Sequence, residues 1–169
     1  PPDLLKTITD FAELKLGKGC VLCKDTPGFI ANRIGTFWMQ TAILEAIAQN
    51  LSVEQCDAAM SLFGIPKTGI FALLDLVGLD LMPHILDNFQ HALPSEDPLY
   101  KLSNLPSIVE TMISKGYTGR KGKGGFYRLK RDKTSKIKES INLQNGTYGL
   151  SKPFKLECIS HRETDLQAF

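Results

Sequence analysis

Asn32 is the residue from which a chemical reading of this sequence starts. It stands in Lys24-Asp25-Thr26-Pro27-Gly28-Phe29-Ile30-Ala31-Asn32-Arg33. Asp25 to Gly28 is a turn and helix-entry signal, because Pro is favoured in a first helical turn. At about 100° per residue, Asn32 lies on the opposite side of that helix from Ile30 and Ile34. Thr36, Met39 and Gln40 extend this second face. A side-chain amide near a helix N-terminus offers a donor and an acceptor beside a positive dipole end. That arrangement suits a carbonyl or alkoxide oxygen of a substrate. The competing reading is an Asn that caps or braces the turn. Arg33 reads as half of a structural ion pair within the same domain.

Other residues with chemical potential read more blandly. Cys20-x-x-Cys23 has metal or redox spacing, but no second pair and no nearby His completes a zinc set. These thiols are expected to pack in a strand, and free thiols fit a reducing cytoplasm. His84, His91 and His161 read as surface or packing residues. Asp75 and Asp80 read as helix-bracing and capping groups, and Phe37-Trp38 as core or interface. Between Lys115 and Glu139, ten Lys/Arg meet only Asp132 and Glu139, a net +8, which leaves −6 for the rest of a chain totalling +2. Such a run serves an anionic ligand or is a solvated linker. Its aromatics are few (Tyr117, Phe126, Tyr127), which argues against nucleic acid.

The positioning elements are mostly helical. Leu4 to Leu16 reads as a helix with Gly17 as its stop, and Gly19 to Lys24 as a short strand. A long helix runs to about Gln49 with one buried stripe of Ile30, Ile34, Phe37, Thr41, Leu44 and Ala48. Asn50 ends it. Ser52-Val53-Glu54-Gln55 is a capping box that opens a helix through Phe63. Ile65 to Gly69 is a loop, Ile70 to Val77 a short helix ended by Gly78, and Leu81 to Leu93 a helix capped by Asp80. Pro94 to Pro98 is a loop, and Asn104 opens a helix through Ile113. Asn145-Gly146 signals a hairpin between Ile141/Leu143 and Tyr148/Leu150. The expected organisation is a trailing helix and strand of a preceding domain at 1–24, a helical domain at 25–127 and a basic extended linker at 128–169. No apolar run reaches the ~18 residues of a membrane span, and no leader is visible at the start. A first residue other than Met suggests an excised piece.

Three segments resemble one family. Asp25-Thr26-Pro27-Gly28-Phe29-Ile30-Ala31-Asn32-Arg33 resembles the Asp-x-Pro-Gly-Phe-Ile-x-Asn-Arg signature that opens the C-terminal helical domain of 3-hydroxyacyl-CoA dehydrogenases. Phe71-Ala72-Leu73-Leu74-Asp75-Leu76-Val77-Gly78-Leu79-Asp80 resembles the family's Phe-x-Leu-x-Asp-x-Val-Gly-Leu-Asp. Gly119-Arg120-Lys121-Gly122-Lys123-Gly124-Gly125-Phe126-Tyr127 resembles its Gly-x-Lys-x-Gly-x-Gly-Phe-Tyr ending. The likeness covers residues 18–127, and three matches in order are specific where one would not be. Where many members have Pro-Met-Gly-Pro-Phe, this chain has Pro66-Lys67-Thr68-Gly69-Ile70-Phe71. Residues 141–148 resemble a connector found in fused, multifunctional β-oxidation proteins.

The resemblance implies an all-α bundle of the 6-phosphogluconate dehydrogenase C-terminal-like type, carrying a helix-strand remnant of a Rossmann domain. It implies oxidation of a (3S)-3-hydroxyacyl-CoA with NAD⁺, both NAD and the catalytic His–Glu pair being held by a Rossmann domain outside this chain. On that reading Asn32 holds the reacting oxygen, and Thr36 and Lys67 join it in binding substrate. Arg120, Lys121 and Lys123 are candidate contacts for the CoA phosphates, the alternative being a glycine loop with solvated charges. The chain alone is expected to be inactive, to pair as a homodimer and to act in the cytoplasm. The alternative is a purely structural assembly module that never touches substrate.

Overall fold

The computed structural model describes residues 2–62, 68–131 and 136–156. In chain order it contains α1 (Pro2–Asp10), continued by a π-helical turn over Phe11–Lys15, then α2 (Ala31–Ala48), α3 (Val53–Ser61) and α4 (Ile70–Val77). A 3-10 turn at Leu79–Leu81 leads into α5 (Met82–Ala92), followed by α6 (Pro98–Lys101) and α7 (Ser107–Ser114). Three strands close the described chain: β1 (Tyr127–Arg131), β2 (Lys136–Ile141) and β3 (Tyr148–Leu150), antiparallel in the order β1-β2-β3. The fold is therefore mostly helical with a small sheet, not all-α.

Local chemistry sets the helix ends. At the close of α2, Asn50 takes a positive φ of 55°, and the N–H of Leu51 reaches back to Ala46 O at 2.9 Å while that of Asn50 reaches Ile47 O at 3.2 Å. These two bonds satisfy carbonyls that the helix leaves open. Gly116 ends α7 in the same way, with Tyr117 N–H on Met112 O at 2.8 Å. The capping box opens α3 as expected: Gln55 N–H donates to Ser52 Oγ at 3.2 Å and Ser52 N–H to Gln55 Oε1 at 2.8 Å. Asp80 does not cap α5. It is exposed, and no side chain caps that helix.

The core gathers Ile43, Ala46 and Val53 with Ile70, Phe71, Leu74, Leu79, Met82, Val109 and Phe126, all fully buried. Phe71 and Phe126 meet edge to face, with ring centroids 4.6 Å apart. Ile141 and Leu143 belong to the same core at 4% exposure each. The change to a charged composition after Tyr127 therefore does not end the packed unit. The predicted hairpin forms, pairing Ile141 with Tyr148. Its loop is longer than a two-residue turn. Asn142 organises it by accepting the N–H groups of Gln144 and Asn145 at 2.8 and 3.2 Å.

Three sequence expectations fail here. Residues 19–24 form no strand, and Cys20 and Cys23 are exposed rather than packed. The ladder partners that would stabilise a strand are not in the described residues. The long helix starts at Ala31, after a turn in which Gly28 and Phe29 both have positive φ. Its buried stripe is also on the other side. Thr36, Gln40, Ile43 and Ala46 face inward, whereas Ile30, Ile34 and Phe37 are 45%, 65% and 40% exposed. Gln40 Nε2 compensates its burial by donating to Asn104 O at 2.7 Å.

Candidate functional site

The amino-terminal end of α2 forms one candidate surface. The turn before it folds tightly because Gly28 lies against the ring of Phe89: an added Cβ there would come within 2.6 Å of Phe89 Cζ. Phe29 N–H closes the turn on Thr26 O at 2.9 Å. From this turn, Phe29, Ile30, Ile34 and Phe37 line an open groove of about 490 Å³ with Pro98 and Leu99. Arg33 crosses to Asp97, forming the intradomain ion pair expected of it. Asp97 also caps α6 through Leu99 N–H at 2.9 Å. One carboxylate thus ties the start of α2 to a second helix.

Asn32 is exposed on the first turn of α2. Thr36, one turn further on, is only 3% exposed. The expected second face is split: Asn32 stays in solvent, while Thr36 and Gln40 turn to the core. A ligand at the surface reaches Asn32 but not Thr36. Lys67 lies outside the described residues. His84 and His91 are on the surface, and His161 also lies outside the described residues.

A second construction joins two of the sequence motifs. The Asp75 carboxylate, in the last turn of α4, accepts the N–H of Phe126 at 2.7 Å and that of Tyr127 at 2.8 Å. Its backbone oxygen accepts Arg120 N–H at 2.8 Å. Gly119 and Gly125 are needed for this close approach, because a Cβ would fall 2.4 Å from Asp75 O and 1.9 Å from Asp75 Oδ1 respectively. Burial pushes the Asp75 carboxyl up to about 6, and the two backbone donors partly oppose that rise. Asp57 on α3 forms the other half of the joint. Its carboxylate accepts Phe71 N–H at 2.7 Å, at the start of α4, and the Tyr127 hydroxyl at 2.8 Å. Burial raises Asp57 and, more strongly, Tyr127. Gly69 permits the contact, since its added Cβ would lie 2.4 Å from Asp57 Cβ. Asp75 therefore does brace, as the sequence suggested, although across a long chain separation. The Asp57–Tyr127 bond had no sequence signal.

The glycine loop does not offer a dinucleotide cradle. The N–H groups of Gly119, Arg120, Gly122, Lys123, Gly125, Phe126 and Tyr127 are all taken by acceptors within the chain. These backbone groups are not free to cradle the pyrophosphate of NAD. The side chains of the loop face a separate groove of about 640 Å³, between the loop and the β1–β2 ribbon. Arg120 and Lys123 line it, as do Lys136 and Lys138, but Lys121 does not.

A model of the 3-hydroxyacyl-CoA dehydrogenase C-terminal domain matches residues 28–129. The chain belongs to that family. Among its relatives, a Rickettsia prowazekii protein named as a fatty acid oxidation complex trifunctional enzyme is 41% identical over 147 residues, covering 86% of this chain and 20% of that protein. The human mitochondrial hydroxyacyl-coenzyme A dehydrogenase is 38% identical over 125 residues, covering 74% of this chain and 38% of the relative. The crystal structure of FadB2 from M. tuberculosis superposes with a TM-score of 0.60 at 31% identity, over 73% of this chain and 41% of that one. That of (S)-3-hydroxybutyryl-CoA dehydrogenase PaaH1 from Ralstonia eutropha gives 0.56 at 28%, over 70% and 40%. The chain thus spans less than half the length of each of these relatives. The three segments of resemblance fall within or across the matched region, and two of them are the partners joined through Asp75. No helix among the described residues is long and apolar enough to cross a membrane.

Proposed function

We propose that this chain is the substrate-cleft and domain-packing portion of an NAD-dependent (3S)-3-hydroxyacyl-CoA dehydrogenase of fatty-acid β-oxidation, inactive by itself. The observation that carries the reading is the start of α2. There Phe29, Ile30, Ile34 and Phe37 form an exposed apolar strip, and the amide of Asn32 is exposed on the first turn of the same helix. An apolar strip left in water favours coverage by another surface. A solvent-facing amide on that turn is free to hydrogen-bond a substrate oxygen.

In the complete enzyme, NAD would be held by a neighbouring domain and would supply the hydride acceptor. This chain's part is positional. Asn32 donates to the oxygen on C3, where negative charge builds as the hydroxyl proton leaves. The exposed helix faces also support pairing into a homodimer, and the free thiols of Cys20, Cys23 and Cys56 suit a reducing cytoplasm.

A purely structural assembly module is the second reading, favoured by the burial of Thr36, which leaves Asn32 alone on the polar side. The deciding measurement is NADH formation from 3-hydroxybutyryl-CoA. The isolated chain should give none. The complete polypeptide should turn over, and Asn32→Ala in it should lower kcat by about 10- to 100-fold while assembly is unchanged. Normal kcat in Asn32→Ala leaves the assembly reading standing, and turnover by the isolated chain overturns both.

A further inference from the structure

We propose that the groove between the glycine loop and the β1–β2 ribbon binds the phosphates of a nucleotide diphosphate. It rests on the acyl-CoA reading only for the source of that nucleotide, the coenzyme A handle, and not for the site itself. The lining includes five basic residues: Arg120, Lys123, Arg128, Lys136 and Lys138. Arg128 is already engaged, donating to Glu139 at 2.6 Å and lying 3.9 Å from the centroid of the Tyr148 ring. Four cations remain.

Their arrangement follows from the backbone. β1 pairs with β2 so that Leu129 opposes Lys138 and Tyr127 opposes Ser140. Side chains alternate along a strand, so Tyr127, Leu129, Lys136 and Lys138 share one face. The loop turns Arg120 and Lys123 toward that same face, forming the other wall. Lys123 Nζ is held by Lys115 O at 3.0 Å, and Lys138 Nζ sits 4.0 Å from the centroid of the Tyr127 ring. Two ammonium groups are thus positioned before any ligand arrives, which lowers the entropic cost of binding. The one acid in the described lining is Asp75, and both of its oxygens are occupied by Phe126 and Tyr127 N–H groups.

Four cations around one groove repel each other, and a multiply charged phosphate relieves that repulsion with charge-assisted hydrogen bonds. The volume, about 640 Å³, lies in the range of small-molecule sites. Leu129, 65% exposed, provides an apolar surface for a nucleobase. Polar wall, apolar patch and size together fit a nucleotide better than a free phosphate.

Calorimetric titration of the 169-residue chain with ADP, coenzyme A and adenosine tests this. ADP and coenzyme A should bind and adenosine should not, with affinity falling as salt rises. Lys136→Glu/Lys138→Glu and, separately, Arg120→Ala/Lys123→Ala should each weaken binding about tenfold or more. Lys130→Ala, on the opposite face of β1, should leave it unchanged. Circular dichroism verifies that each variant is folded. Tighter binding of coenzyme A than of ADP identifies the handle as the source; equal binding identifies a free nucleotide, and either supports the site. Absence of ADP and coenzyme A binding overturns it, as does affinity indifferent to both double variants, or capture of an RNA oligonucleotide without ADP binding. None of these readouts involves turnover, so the dehydrogenase reading stands or falls separately.

Discussion

Asp75 Oδ1 lies 2.7 Å from the backbone nitrogen of Phe126, a residue 51 positions later in the chain. Through this bond and its neighbour at Tyr127, one carboxylate on α4 fixes the path of the glycine loop and the first strand. It also fixes the wall on which Arg120 and Lys123 stand.

The joint should be sensitive to pH in an unusual direction. A carboxyl held at about 6 in the folded chain, against an ordinary value of about 3.9, binds its proton more tightly when folded. Its contribution is fully present below about pH 4 and is lost as pH rises through about 6. Asp75→Asn carries no such titration. The stability of the native chain relative to Asp75→Asn should therefore fall by about 2 kcal/mol between about pH 4 and pH 7. Urea denaturation at the two pH values measures it, and an unchanged difference would refute the assignment.

Two glycines of equal size should respond oppositely to alanine. Gly125→Ala drives a methyl to within 1.9 Å of Asp75 Oδ1 and should cost about 3 kcal/mol or more. Gly35 lies inside α2, with open space around its added Cβ. Gly35→Ala should stabilise by about 0.5–1 kcal/mol, because alanine loses less backbone entropy in a helix. Thermal unfolding of both variants compares them directly, and destabilisation by Gly35→Ala would show that its surroundings are filled.

Among the described residues, Asp97 serves two partners and Arg33 one. Asp97→Ala should therefore cost about 1 kcal/mol more than Arg33→Ala, the worth of a lost N-cap. A double-mutant cycle isolates the pair itself, expected at about 1 kcal/mol because both side chains are only partly buried. Equal losses from the two single variants would deny the capping role.

Substitutions on the exposed apolar strip should separate folding from assembly. Ile34→Glu and Phe37→Glu should change the stability of the chain by about 0.5 kcal/mol or less, as expected for solvent-facing positions. In the complete polypeptide the same changes should impair docking of the neighbouring domain and lower turnover. Analytical ultracentrifugation with activity assays would detect this. Full activity in both variants would mean the strip is not covered.

Much of the local structure was determined by the sequence. The Ser52/Gln55 capping box, the stops at Asn50, Gly78 and Gly116 and the hairpin around Asn145-Gly146 depend on short-range hydrogen bonds and backbone freedom, which neighbouring residue types encode. The three spaced motifs were equally legible, and so was the ion pair sought for Arg33. Tertiary structure alone decided which side of α2 faces inward. That helix carries an Ile30/Ile34/Phe37 stripe and a Thr36/Gln40/Ile43 stripe, and helical period marks both without choosing between them. The contacts of Gln40 with Asn104 and of Ile43 with the core made the choice. The meeting of Asp57 with Tyr127, and of Lys136 and Lys138 with the glycine loop, was likewise invisible beforehand. Those pairings arise from packing elements far apart in the chain, and no local spacing encodes such a distance.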